Sequence, residues 1–575
     1  MTLLLRAGRL LLGAAVAAAA TAACYGAGGG MAPPAATFYY PAGLAVSGGG
    51  NVLYAVNSDF DLQFNGGTLQ SYDLFLIRQH AAELVRANLS GATTLPPDIA
   101  NHLLGPWTPG ACPGSPPPPT NDQSGIGVPL GQACAPPVDS TFYQRDSAVI
   151  GAFATDLQLS LSGTRLFVPI RGNGTITWAD VPTDDPSSAP AEGTTASFPP
   201  FSLDCGTRVD DRCDARHQTG DDPNEPASNT RHATLPGDPF AIAQSQDGTA
   251  LVVTSLTAMA SSVLTTGLAI GSATSPAPGD PSMQFALGGM PSGGSGIAAV
   301  PHEPNGVGGY VRCEDVGDAS GCTRPAFLQT NTGAAEIDLL RYYDDDGSTL
   351  HRPFIQKEAA YQLTIQSGGN DFRGIAIDPT PRIACAARAT TPAQKTQCAQ
   401  LPARVFIASR TPPALVIGQV GQPVRGGGYD PDAFALTALV PMPNGPSGVY
   451  LAPIVDQAGR YELRVFVVCF DSNIVWVFDP DAGAFENTIA TGLGPYAMAF
   501  DPFDLTQVAT HATVPIDPRQ PADLALKRYR FAYVASFTHS NLQVIDLDDS
   551  MSSQQTFESV VYTLGKPTPP KGSGS

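Results

Sequence analysis

The chain has 575 residues, of which 43% are hydrophobic, 8% aromatic and only 14% charged, and its formal net charge is −20. With 60 Gly and 54 Pro it is rich in turn formers and poor in charge, which excludes coiled coils and helix bundles. No run of Lys and Arg offers the clustered positive charge that phosphate backbones require, so nucleic acid is excluded as a partner. The composition predicts a large, loop-rich, all-β protein whose acidic surface keeps it soluble and tolerates cations.

The N-terminus, MTLLLRAGRLLLGAAVAAAATAAC, places Arg6 and Arg9 ahead of an apolar stretch from Leu10 to Ala20, followed by small residues and Cys24. That order predicts a secretory signal over residues 1–23, too short for a durable membrane span. Thr21-Ala22-Ala23-Cys24 resembles the bacterial lipobox. The resemblance implies a lipoprotein cut before Cys24, acylated there (palmitate included) and anchored in the cell envelope, at the periplasmic face or outer surface. Thr21 stands where such motifs usually carry Leu, so cleavage by an ordinary signal peptidase stays as the alternative. Residues 24–36 read as a flexible tether, 37–565 as the body and 566–575 as a flexible tail. No later stretch approaches the roughly 18–20 apolar residues of a transmembrane helix, so membrane contact is expected only through the lipid.

The body repeats. Seven openings recur, each a Gly/Pro turn running into a short apolar strand. They are PAGLAVS (Pro41–Ser47), TDLQLSLS (Thr155–Ser162), GDPFAIAQS (Gly237–Ser245), GSGIAAVP (Gly294–Pro301), FRGIAIDP (Phe372–Pro379), PSGVYLAP (Pro446–Pro453) and GPYAMAFDP (Gly494–Pro502). Second strands such as NVLYAVN, TALVVTS and LRVFVVCF follow. Third strands (GTLQSYDL, NIVWVFDP, NLQVIDLDD) and fourth strands (ENTIATG, ESVVYTLG) complete the clearest units. Four short strands per repeat predict a β-propeller of seven four-stranded blades, since a blade cannot bury both faces alone. An irregular assembly of β-sandwiches is the competing reading of regularly spaced strands.

Two repeats, VFVVCFDSNIVWVFDPDAG (Val465–Gly483) and FAYVASFTHSNLQVIDLDD (Phe531–Asp549), resemble the YVTN-type propeller family, a WD40-like repeat class. Uneven spacing marks insertions at about 75–147, 180–236 and 302–326. In the first, Ile77, Ala81, Leu84 and Val85 share one face of an expected helix. Loops held on a rigid scaffold are where recognition concentrates, and tolerated padding is the other reading of these inserts.

Of ten cysteines, eight fall into close pairs in loop-like sequence: Cys112 with Cys134, Cys205 with Cys213, Cys313 with Cys322 and Cys385 with Cys398. Without CxxC or zinc spacing, four local disulfides of an oxidising compartment are expected. Cys469, inside VFVVCF, reads as a buried inert thiol.

Catalytic motifs are sparse. There is no GxSxG elbow, HExxH or P-loop, and the eight histidines are scattered. Asp344-Asp345-Asp346-Gly347 is an oxygen-rich turn without EF-hand order, so Asp344 and Asp346 are weak Ca²⁺ candidates. In a propeller the residues opening each inner strand crowd around the central channel. Here those channel-mouth candidates are Asp238, Asn370, Asp371, Arg373, Asn444 and Tyr496. Convergent oxygen ligands suit a hard cation that polarises an ester or lactone carbonyl, although Asp and Asn also favour turns for their own sake. The family resemblance carries lactonase-like activity as one implication. The expected function is a monomeric, non-enzymatic binding or scaffolding module for a protein or an envelope polymer. No cofactor is expected for it. Metal-assisted hydrolysis in the channel, with Ca²⁺ or another divalent cation, is the alternative, and a quinone-dependent redox enzyme follows from fold analogy alone.

Overall fold

Seven four-stranded antiparallel sheets, each built from four strands consecutive in the chain, stand around a ring, and the strands are numbered in chain order. The computed structural model describes residues 30–108, 135–184, 201–223, 228–268, 279–304, 311–316, 321–344, 352–363, 369–424, 426–515, 530–550 and 556–567. The signal and Cys24 lie outside them.

In each blade the first strand is innermost: β1 (Pro41–Val46), β5 (Gln158–Leu159), β9 (Pro239–Gln244), β13 (Gly294–Ala299), β17 (Asp371–Asp378), β21 (Pro446–Val455) and β25 (Pro495–Phe500). All seven expected openings lie on these strands. Their shared pattern has a structural cause. In β1, β13, β21 and β25 the register against the second strand slips at Pro41/Gly43, Gly294/Gly296, Pro446/Gly448 and Pro495/Ala497. Each opening is therefore a β-bulge, which re-aims one residue where the strand meets the channel mouth. The small residue that follows permits close approach of the next blade. A Cβ on Gly43 would stand 2.7 Å from the Leu157 Cβ, and one on Gly374 would stand 2.8 Å from the Gly448 Cα.

Second strands such as β2 (Val52–Asn57), β6 (Arg165–Ile170), β10 (Ala250–Ser255) and β26 (Phe531–Ser536) are buried along their whole length. They are covered on both faces by neighbouring blades, which is why VLYAVN or LVVTS reads as a continuous apolar run rather than an alternation. Between the first two blades, for example, Val52, Tyr54 and Val56 share one core with Leu166, Val168 and Ile170. Cys469 at the end of β22 (Tyr461–Cys469) is fully buried, and burial pushes its thiol far above the usual range. The thiol is inert.

The two ends of the ring differ. Connections between first and second strands, and between third and fourth, emerge on one side, and the helices sit there. Helix Thr380–Arg388, from the fifth blade, packs against helix Leu505–His511, from the seventh. We call this side the helix face and the opposite side, where the inner strands begin, the mouth face.

Three of the four expected disulfides are present: Cys205–Cys213, Cys313–Cys322 and Cys385–Cys398. The fourth is not among the bonds of the described residues, because both of its cysteines, Cys112 and Cys134, lie outside them. The insert pinned by Cys205–Cys213 clamps the first blade to the second. Cys213 donates its backbone N–H to Val149 at 2.9 Å, and Val149 donates to Asp211 at 2.8 Å, so the second insert lies along the outer edge of the first blade. The first insert carries helix Leu74–Ser90, capped by Asp73 and ended by Gly91 at φ 65°. Its Ile77, Ala81, Leu84 and Val85 are all buried, as the periodicity requires. That insert also closes the ring. Among the described residues every blade is made of consecutive strands, and no strand is exchanged between the first and last blades. Instead Val138 donates to Thr563 and accepts from Gly565, both at 2.8 Å, bridging in parallel to the outermost strand β28 (Val560–Leu564).

Candidate functional site

The mouth face is built from two repeat positions. One is the bulged residue of those inner strands whose register slips, among them Ser295, Arg373, Ser447 and Tyr496. The other is the residue just past the point where the second strand pairs with that bulge: Ser58, Arg171, Leu256, Thr332, Arg410, Phe470 and Phe537. Local strand geometry thus delivers one side chain per blade to the rim.

The acidic candidates are taken by arginines. Asp238, held at φ 56°, pairs with Arg171 at 3.2 Å and accepts from the Thr257 hydroxyl. Asp371 receives the Arg373 guanidinium in two bonds, at 2.6 and 3.2 Å. Arg410 likewise binds Asp471. Asn370 is exposed beside β17, and the Asn444 carbonyl accepts from the Ser472 hydroxyl at 2.8 Å. Asp344 follows β15 (Glu336–Tyr343) at the helix-face end of its blade, and Asp346 lies outside the described residues. Among the described residues no three His, Cys, Asp or Glu side chains gather as metal ligands. The expected ring of oxygen ligands does not form there, because an Asp that opens a strand beside a rim arginine is neutralised locally.

Of the six candidates, Asp371 and Arg373 pair directly, and Tyr496 lies within the electrostatic reach of Arg373. Burial, with Asp156 second, pushes the Tyr496 hydroxyl up to about 12, while Arg373 and Arg171 work against that rise. Charges from the second and fifth blades therefore face a tyrosine of the seventh.

Two channel residues were not singled out in the sequence. Asp156, just before β5, is half-buried, and its carboxyl accepts from Leu157 N–H at 2.8 Å and Ile242 N–H at 3.4 Å. Burial nevertheless pushes it up to about 6. Tyr450 of β21 faces the same carboxylate, which adds to the rise caused by its burial. A signal for Tyr450 existed. Aligned on their bulges, the openings put Ala45, Ala298, Ala376 and Ala499 where Tyr450 stands. Asp156 gave no such signal, since Asp before a strand reads as turn chemistry.

An aromatic cluster covers one side of the mouth. Phe537 is its centre, with ring centroids 5.0 Å from Tyr40, 5.4 Å from Phe60, 5.4 Å from Tyr496 and 6.3 Å from Phe470. Phe60 also meets Phe153 edge-on at 5.9 Å. The loop from β2 to β3 (Thr68–Asp73) presents Phe60, 52% exposed, and Leu62, 50% exposed. Asp59 sets that loop: at φ 50° it accepts from Phe64 N–H at 3.2 Å, and its buried carboxyl is pushed up to about 7. The mouth is thus apolar toward the seventh and first blades and carries Arg–Asp pairs elsewhere.

No family model matches the chain, and no curated protein matches it. Solved structures are similar in fold. Hydrazine synthase of Kuenenia stuttgartiensis is 10% identical, with a TM-score of 0.41, covering 91% of this chain and 99% of its own. The periplasmic gluconolactonase PpgL of Pseudomonas aeruginosa is 12% identical, with a TM-score of 0.38 over 79% of this chain and 86% of its own. Sqt1 of Saccharomyces cerevisiae is 6% identical, with a TM-score of 0.40 over 93% and 87% respectively. The architecture is given by the chain's own seven four-stranded sheets: it is a seven-bladed β-propeller.

Proposed function

We propose that this chain is a YVTN-type propeller lipoprotein, exported, anchored through Cys24 to a bacterial envelope membrane, and working as a monomeric binding module. Its partner is a protein or an envelope polymer, taken on the mouth face. The observation that carries the reading is the half-exposed Phe60–Leu62 tip on the rigid Phe537 cluster. Aromatic side chains held on a fixed scaffold supply large contact area at low entropic cost, and such anchors dominate binding energy. The signal segment and the three disulfides support an oxidising address.

In a crosslinking pulldown from envelope fractions, the wild-type chain is expected to retain a defined partner. Phe60→Ser should weaken that retention at least about tenfold, the loss of one aromatic anchor, with melting temperature unchanged. Equal retention by the variant would remove the mouth from the reading.

A second reading, hydrolysis of an ester or lactone in the channel, is favoured by Asp156. A carboxyl at about 6, opposite Tyr450 and Tyr496, is suited to accept or donate a proton near neutral pH without a metal. Turnover of simple lactones by the purified protein, lost by 10²-fold or more in Asp156→Asn, is the result this reading expects. No turnover by the wild type at pH 6–8 ends it.

A further inference from the structure

At the seam between the first and seventh blades, beside the mouth but outside the channel, lies a cleft of about 520 Å³. This is within the roughly 300–1,000 Å³ typical of small-ligand sites. Four stretches far apart in the chain line it: Thr37–Tyr40, Asp61 and Gln63 of the β2–β3 loop, Asp139–Ser140 of the first insert, and Gly565–Pro567 after the last strand. Leu104 and Ser540 join them, and Ser540 accepts the Tyr40 N–H at 3.2 Å.

The walls are preorganised. Tyr39 donates its N–H to the buried Asn57 at 3.0 Å and its hydroxyl to Asp61 at 2.5 Å. Its ring is wedged edge-on against Tyr40 and Phe64, at 5.0 and 4.9 Å. Gln63 donates its amide to the same Asp61 carboxylate at 2.7 Å, leaving its carbonyl for other partners. Phe38, behind the cleft, stacks on Tyr72 at 4.9 Å.

The chemistry of this lining selects among ligand classes. Two carboxylates, Asp61 and Asp139, stand against one ammonium, Lys566, so a phosphate, sulfate or uronate meets net repulsion. A purely apolar ligand would strip water from carboxylates, hydroxyls and an amide without replacing their hydrogen bonds. A ligand with a flat C–H face and a rim of hydroxyls satisfies both demands. We propose that the seam cleft binds an uncharged saccharide, with the tyrosine wall against the ring and Asp61, Gln63 and Asp139 taking its hydroxyls.

The cleft shares Tyr40 and the Phe60–Gln63 loop with the mouth, so the two sites are separated by a variant on the far side of the Phe537 cluster. The full-length protein in detergent is titrated calorimetrically with neutral hexose and N-acetylhexosamine oligosaccharides, and with uronate and sulfated counterparts. Neutral glycans are expected to bind, and the anionic ones at least tenfold more weakly. Tyr39→Ala and the milder, surface-exposed Gln63→Ala should each weaken binding at least fivefold, while Phe470→Ala, at the mouth but outside the cleft lining, leaves it unchanged. No binding of neutral glycans at millimolar concentration, equal binding of the anionic set, or full affinity in Gln63→Ala and Tyr39→Ala would each overturn the proposal. Loss of affinity in Phe470→Ala alone would move the sugar to the mouth and overturn it as well.

Discussion

Asp501→Ala is expected to lower stability by about 3–5 kcal/mol, the cost of removing one partner from a buried ion pair. Asp501 is 2% exposed and follows the innermost strand of the last blade. It accepts from the Phe531 N–H and the Tyr533 hydroxyl, both at 2.8 Å, and pairs with Arg78 at 3.2 Å. Arg78 sits on helix Leu74–Ser90 of the first insert. The pair therefore ties the start of the ring to its end, along with the Val138 bridge and the hydroxyl contact of Tyr143 with Tyr562. At about 2 cal/mol/K per residue of unfolding entropy, a chain of this length loses about 1 °C of melting temperature per kcal/mol, so a fall of about 3–5 °C is expected. Asp501→Leu combined with Arg78→Met should recover part of it, because no charge is then left buried alone. A single variant melting within 1 °C of the wild type would show that the seam does not depend on this pair.

The second large effect is on pH. Glu558, buried beside Glu486 and Asn487, is pushed from an ordinary 4.5 up to about 8, mainly by burial. Asp546, whose backbone pairs with that of Glu558, is pushed from 3.8 up to about 7 by the same cause. Between the ordinary and shifted values the folded state keeps protons that the unfolded chain releases. The stability they contribute is full below about pH 4 and is lost as pH rises through about 7 and then 8. At 1.4 kcal/mol per pH unit, Glu558 alone accounts for about 3–5 kcal/mol across its window. His80 and His539, held below their ordinary value by burial, act on the other flank: their contribution is lost on acidification below 6.5. Melting temperature should therefore fall steadily from pH 6.5 to 8.5. Glu558→Gln should flatten that fall and melt a few degrees above the wild type at pH 8.5, with little difference at pH 5. Parallel curves for the two proteins would exclude Glu558 as the titrating group.

Much of the architecture could be read in the residues because it is governed locally. A bulged, Gly-bearing opening, a fully apolar second strand and turn residues at fixed offsets recur in PAGLAVS, GSGIAAVP and PSGVYLAP. Each obeys strand period and turn chemistry within a few residues. The same holds for the buried face of helix Leu74–Ser90 and for disulfides closing 8 to 13 residues, whose partners have little choice of geometry.

The site was only partly legible. Tyr496 and Arg373 could be placed at the mouth from their positions in the repeat. Whether Asp238 and Asp371 would meet a cation or an arginine depended on Arg171, 67 residues from Asp238, and on Arg373, two residues from Asp371. The first insert looked like a recognition loop, and it serves as the closure of the ring through Val138 and Arg78. The aromatic cluster, the seam cleft and the channel carboxyl Asp156 all join residues from distant parts of the chain, as when Tyr40 donates to Ser540 across 500 positions. Periodicity and composition carry the short-range choices, since those energies act between near neighbours along the backbone. Which side chains converge is settled when the seventh blade docks on the first, because only ring closure brings such distant positions within hydrogen-bonding reach.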